Sequence, residues 1–121
     1  MPISSQVGAP QLIRSAAILT TGAVASSNFP LQTTLDQWVN LQADFTIGSL
    51  TNVIITPQVS NDGSTWYDVT SPGAATLTAT GTKTIPVCCK GWKLFRATAQ
   101  GTGTVTSSSL TLTVNYQREY L

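Results

Sequence analysis

The densest chemistry in this chain lies in one short stretch, Ser60-Asn61-Asp62-Gly63-Ser64-Thr65-Trp66-Tyr67-Asp68, where carboxylates, hydroxyls and aromatic rings follow one another. Such a run offers oxygen ligands to a cation, carboxylates for acid–base work, or a flat ring for a sugar face. Each of these chemistries has requirements that the sequence does not meet. A calcium loop alternates its oxygen ligands and ends in glutamate, whereas Asp62 stands alone among Asn61, Ser64 and Thr65. The acidic residues Asp36, Asp44, Asp62, Asp68 and Glu119 show no catalytic spacing, and the chain has no histidine. That absence removes the commonest general base, zinc ligand and pH switch. The sequence therefore predicts a protein that is not an enzyme, with no catalytic residues, no metal site and no cofactor.

The structural reading of the stretch needs less. Asn61-Asp62-Gly63-Ser64 supplies the residues of a tight hairpin turn, in which Gly63 accepts a positive φ without a Cβ clash. Trp66 then returns on the adjoining strand. The stretch is similar to the sialidase Asp-box, itself a structural hairpin motif, but Gly63 follows Asp62 directly, one residue short of that spacing, and the box occurs once. Trp38, Trp66 and Trp92 are the candidate aromatic platform for a glycan. Each lies in or beside an alternating strand, where a large ring closes a core or anchors a subunit contact, and core or interface is the expected role.

The remaining reactive groups are Cys88 and Cys89. As neighbours on a strand they point to opposite faces, which predicts two reduced thiols, one packed inside and one facing out. Net charge is +1 and only 9% of residues are charged. The six Lys and Arg are scattered, so no nucleic-acid surface is signalled. The stretch from Leu12 to Ser27 imitates a secretory signal, but Thr20, Thr21 and Gly22 break its apolar run. No run approaches the roughly 20 apolar residues that a membrane-spanning helix needs, so no membrane partner is expected.

The elements that must position these residues are strands. In Asp36–Gly48, Val39, Leu41, Ala43, Phe45 and Ile47 share one face and Asn40, Gln42, Asp44 and Thr46 the other. Asn52–Ser60 repeats the pattern with Val53, Ile55 and Val59, and Pro57 predicts a bulge or an edge there. The short link Gly48–Thr51 predicts that these two strands are antiparallel neighbours. Short strands around a turn at Thr80-Gly81 follow, then Trp92–Ala99 with Phe95 and Ala97 on one face, and finally Leu110–Tyr116, alternating with threonine. Seven or eight short strands separated by Gly, Pro, Asn and Asp, with no sustained helical period, predict one all-β domain. The expected architecture is a single antiparallel β-sandwich, jelly-roll or Ig-like, over residues 30–121. Residues 1–29 are expected to form an extended N-terminal arm with a first short strand from Leu12 to Thr20.

Taken together, Gln58, Val59, Ser60, Asp62, Gly63 and Trp66, then Phe95, Arg96, Gly101 and Gly103, make a pattern that resembles the small β-sandwich accessory proteins of tailed-bacteriophage virions. The resemblance spans Asp36 to Tyr116. It implies a capsid decoration or cement protein on the virion surface, assembled in the host cytoplasm. The major capsid protein would be its partner, a homotrimer its state, and the arm from Met1 to Phe29 would lie across capsid subunits. The aromatic-arginine pattern further implies an internal ion pair of Arg96 with Asp62 or Asp68. A tail-associated structural protein, or a carbohydrate-binding host-adhesion sandwich, is the alternative.

Overall fold

Alternation of apolar and polar residues sorts the chain into two layers. The computed structural model describes residues 4–7, 11–31, 36–70, 72–89 and 91–120. Among these, eleven strand segments form two antiparallel sheets and no helix is present. They are β1 (Ser4–Val7), β2 (Gln11–Ala17), β3 (Val24–Ala25), β4 (Phe29–Pro30), β5 (Asp36–Thr46), β6 (Leu50–Ser60), β7 (Tyr67–Asp68), β8 (Ala75–Leu77), β9 (Gly81–Cys88), β10 (Leu94–Gly103) and β11 (Ser109–Tyr120). The chain is an antiparallel β-sandwich.

In the first sheet β11 and β5 are central, β9 is one edge, and β1 and β2 share the other. In the second, β10 and β6 are central, with β3 and β4 along one edge and β7 and β8 along the other. The core lies between them. Val39, Leu41, Ala43 and Phe45 of β5 and Leu110, Leu112 and Val114 of β11 face Val53, Ile55 and Val59 of β6 and Phe95, Ala97 and Ala99 of β10. Fully buried Phe95 lies on the same strand face as alanines at 97 and 99, so one large ring is accommodated by small neighbours.

Two expectations from the sequence are corrected. β5 and β6 are not neighbours in one sheet: the link after β5 carries the chain across the sandwich, so β5 lies in the first sheet and β6 in the second. Gly48 makes that arch with φ +54, and a Cβ there would overlap the Ser107 backbone. The Ser107 hydroxyl also accepts the Ser49 N–H at 3.0 Å. The turn is thus built against the β10–β11 loop instead of folding back on its own strand. Short links also carry the chain across the sandwich between edge strands, β2 to β3 and β8 to β9, and between central strands, β10 to β11.

Pro57 is neither at a bulge nor at an edge but buried within central β6. Its partner in β10, Ala97, points its N–H and C=O away to Ser26, at 3.0 Å and 2.8 Å. Opposed residues that do not bond each other both face outward. Pro57 therefore turns its missing donor toward the gap between β7 and β8, where only its carbonyl is used, by the Val69 N–H at 2.9 Å.

The expected arm is corrected as well for residues 11–29. β2 pairs with β11 close to the expected first strand, β3 and β4 pair with β10, and Ile13, Leu19 and Phe29 are buried in the core. Three apolar side chains at those positions supply enough burial to hold the segment in the sandwich. Residues 4–7 pair with the end of β11, and residues 1–3 and 8–10 lie outside the described residues.

Candidate functional site

Between β6 and β7 the chain turns through Asn61–Trp66, and the register of the hairpin is set by Val59 opposite Tyr67 and Gln58 opposite Asp68. The turn is held by two side chains, those of Ser60 and Asp62, which bond each other and the backbone N–H groups of the turn. The buried Ser60 hydroxyl accepts the N–H groups of Asp62 (3.2 Å) and Gly63 (2.9 Å) and donates to Asp62 Oδ1 (3.1 Å). Asp62 Oδ1 in turn accepts the N–H groups of Ser64 (2.9 Å) and Thr65 (2.8 Å). Gly63 takes φ +79, as the turn requires. The Trp66 indole N–H closes the loop on the Gly63 carbonyl at 3.2 Å.

Asp62 is exposed, yet its carboxyl is held below the ordinary carboxylate range, first by the Thr65 N–H and then by that of Ser64. An oxygen already accepting three hydrogen bonds is a poor cation ligand. Among the described residues no three His, Cys, Asp or Glu side chains gather where they would hold a metal. The loop is built to hold its own shape.

On the outer face of the second sheet, Arg96, Gln58 and Asp68 stand in one row across β10, β6 and β7. Arg96 Nε donates to Gln58 Oε1 at 2.8 Å, and Gln58 Nε2 donates to Asp68 Oδ1 at 2.7 Å. Over this row the Arg96 guanidinium lies 4.2 Å from the centroid of the Trp66 ring. The ion pair expected of Arg96 with Asp62 or Asp68 is therefore corrected: among the described residues Arg96 meets neither carboxylate, because the Gln58 amide stands between. An amide relay leaves Arg96 half-buried and Asp68 exposed, and spares the desolvation that a direct buried pair would cost.

The three tryptophans are not one platform. Trp66 packs on Arg96. Trp92, half-buried against the core, meets Tyr67 with ring centroids 5.6 Å apart. Trp38 is on the other sheet, exposed, opposite Cys88 in register. Cys88 is an exposed free thiol, and Cys89 is buried. Gln58 and Ser60, which hold the site together, enter the sequence reading only as part of the strand pattern; the signal of their roles is position, as an outward residue opposite Arg96 and the last residue before the turn.

No protein-family model matches the chain, and no curated protein sequence matches it. Solved structures do share the fold. A structure described as Bacillus endospore appendages, a family of disulfide-linked pili, matches with TM-score 0.56 and 13% identity over 98% of this chain and 88% of that one. The PBSX exported protein XepA matches with TM-score 0.61 and 14% identity over 90% of this chain and 37% of that one, so the chain corresponds to a little over a third of XepA. At these identities the likeness is one of fold.

Proposed function

We propose that this chain is a non-enzymatic structural subunit that works by packing against other subunits at the surface of a larger assembly. The observation that carries the reading is how its polar residues are used. Ser60, Asp62, Gln58, Asp68 and Arg96 spend their hydrogen bonds on one another and on the turn, while Leu12, Ile18, Val24, Trp38 and Tyr67 are left exposed. Exposed apolar side chains on a weakly charged sandwich suit subunit contacts.

The setting favoured is the outer surface of a tailed-bacteriophage head, which the strand and turn pattern resembles. There the chain would act as a decoration or cement protein on the major capsid protein, with three copies clustered. Cosedimentation of the purified chain with heads lacking it, followed by imaging, tests this: saturable density at regular capsid positions is the expected result. Failure to bind heads, together with a glycan-array signal lost in Trp66→Ala, would move the reading to host adhesion.

One observation favours a second setting. Cys88 is exposed near the end of β9, the one edge formed by a single long strand among the described residues. A fibre subunit joined by disulfides, as in the pili that share the fold, would use such a thiol. Multimers on non-reducing gels that vanish in Cys88→Ser would support it.

A further inference from the structure

Of the aspartates in this chain only Asp62 is followed by glycine, and no asparagine is. The pair carries a chemistry of its own. The backbone nitrogen after an aspartate is able to attack that residue's side-chain carbonyl, and glycine, with no Cβ and a wide choice of φ and ψ, hinders the attack least. In this step the Gly63 nitrogen bonds to Asp62 Cγ, the bond from Cγ to one carboxyl oxygen breaks, and that oxygen leaves as water with the carboxyl proton and the amide proton. The succinimide so formed takes up water again. Opening at the Asp62 backbone carbonyl carbon gives isoaspartate, in which the main chain runs through Cβ and Cγ and the free carboxylate sits on Cα. No electrons change hands, and water is the only reagent.

The folded turn opposes each requirement of this step. The attacking nitrogen has to give up its proton, but the Gly63 N–H donates to the Ser60 hydroxyl at 2.9 Å. Cγ has to swing toward that nitrogen, but Oδ1 is held by the Ser60 hydroxyl at 3.1 Å and by the N–H groups of Ser64 and Thr65 at 2.9 Å and 2.8 Å. The leaving oxygen has to carry a proton, but the N–H groups of Thr65 and Ser64 favour the ionised carboxylate. Ser60 is the member common to both sides of the reaction. Its side chain, fully buried at the end of β6, accepts from the nucleophile and donates to the electrophilic group, and so holds the two in place.

We propose that Asp62–Gly63 is a latent site of isoaspartate formation, kept closed in the native protein by the Ser60 hydroxyl and exposed to reaction when the turn between β6 and β7 opens. Refolding does not undo the conversion. It inserts a carbon into the main chain of the turn and takes the carboxylate off the Ser64 and Thr65 N–H groups. Trp66, whose indole N–H closes on the Gly63 carbonyl and whose ring packs on Arg96, loses its seat. A turn that has stood open is thereby marked permanently, whichever assembly the chain serves.

The test holds the purified full chain at neutral pH for several weeks, folded or in enough urea to unfold it. Isoaspartate at residue 62 is counted by peptide mapping with electron-transfer fragmentation, which distinguishes a β-linked from an α-linked residue. The folded wild type is expected to convert about tenfold or more slowly than the unfolded chain, because the reaction waits for local opening. Ser60→Ala, verified as folded by circular dichroism, is expected to convert about threefold or more faster than the folded wild type. Gly48→Ala, which strains the arch at the other end of β6, controls for lost stability alone and is expected to stay near the wild-type rate. Ser60→Cys, whose thiol is a weaker acceptor for the Gly63 N–H, replaces Ser60→Ala should the latter fail to fold. Equal rates in the folded and unfolded wild type overturn the latency of the site. A folded Ser60 variant no faster than wild type, or Gly48→Ala accelerated as much as it, overturns the role of Ser60.

Discussion

Arg96 and Trp66, thirty residues apart in sequence, pack with the guanidinium 4.2 Å from the ring centroid, so the turn that carries Trp66 is tied down onto the face of β10. A half-exposed cation–π contact of this kind is worth about 0.5–1 kcal/mol. A double-mutant cycle with Arg96→Ala and Trp66→Ala, read by urea unfolding, is expected to give a coupling of that size; strictly additive effects would show that the two groups only lie near each other.

Asp62 makes the hairpin sensitive to acid. A carboxyl whose folded-state pKa lies below its unfolded value adds stability above the unfolded value, and that addition is lost as the pH falls through the folded one. Asp62 is held low by the Thr65 and Ser64 N–H groups. The stability gap between wild type and Asp62→Asn should therefore be constant above about pH 5 and narrow below about pH 4. Urea midpoints at the two ends of that window check it, and an equal gap at both would remove Asp62 from the account.

Gly48→Ala tests the arch between β5 and β6. A residue with φ +54 whose Cβ would overlap the Ser107 backbone is expected to cost about 2 kcal/mol or more. Thermal unfolding measures it, and a loss below about 0.5 kcal/mol would mean the arch relaxes freely.

Phe95→Ala removes the largest fully buried side chain of the described residues and is expected to cost about 3–5 kcal/mol through the cavity it leaves. Thr98→Ala, on the outer face of the same strand, should cost under about 0.5 kcal/mol. Equal costs would contradict the assignment of faces.

The two thiols should report folding separately. Cys88 is exposed and Cys89 buried, so a maleimide is expected to modify one thiol at once and the second only as the chain unfolds. Simultaneous modification of both in native buffer would contradict the burial of Cys89.

Sheet faces were legible in the sequence because a period of two is a local property. Val39, Leu41, Ala43 and Phe45 face the core as their alternation predicts, and so do Leu110, Leu112 and Val114. What the period does not contain is the partner of each strand. A strand in either sheet shows the same alternation, so the link at Gly48 reads as a hairpin although it is an arch, and Pro57 reads as an edge residue although its missing donor falls in a gap of the neighbouring edge. The site divides the same way. The Asn61–Ser64 turn is local chemistry and visible in the residues, whereas the Arg96–Gln58–Asp68 row depends on the register of three strands spread over nearly forty residues.

The arched links also govern when the molecule is able to form. Since consecutive long strands enter opposite sheets, no pair of them makes a stable hairpin on its own, and β5 must wait for β11, more than sixty residues later, to be flanked on that side. β11 is the last strand among the described residues and yet sits at the centre of its sheet, bonded to β5 on one side and to β1 and β2 on the other. During synthesis the first sheet therefore stays open until β11 has left the ribosome, its strands exposing unpaired backbone meanwhile. Folding is expected to be slow, dominated by contacts between distant segments, and a chain truncated before β11 should aggregate rather than fold in part.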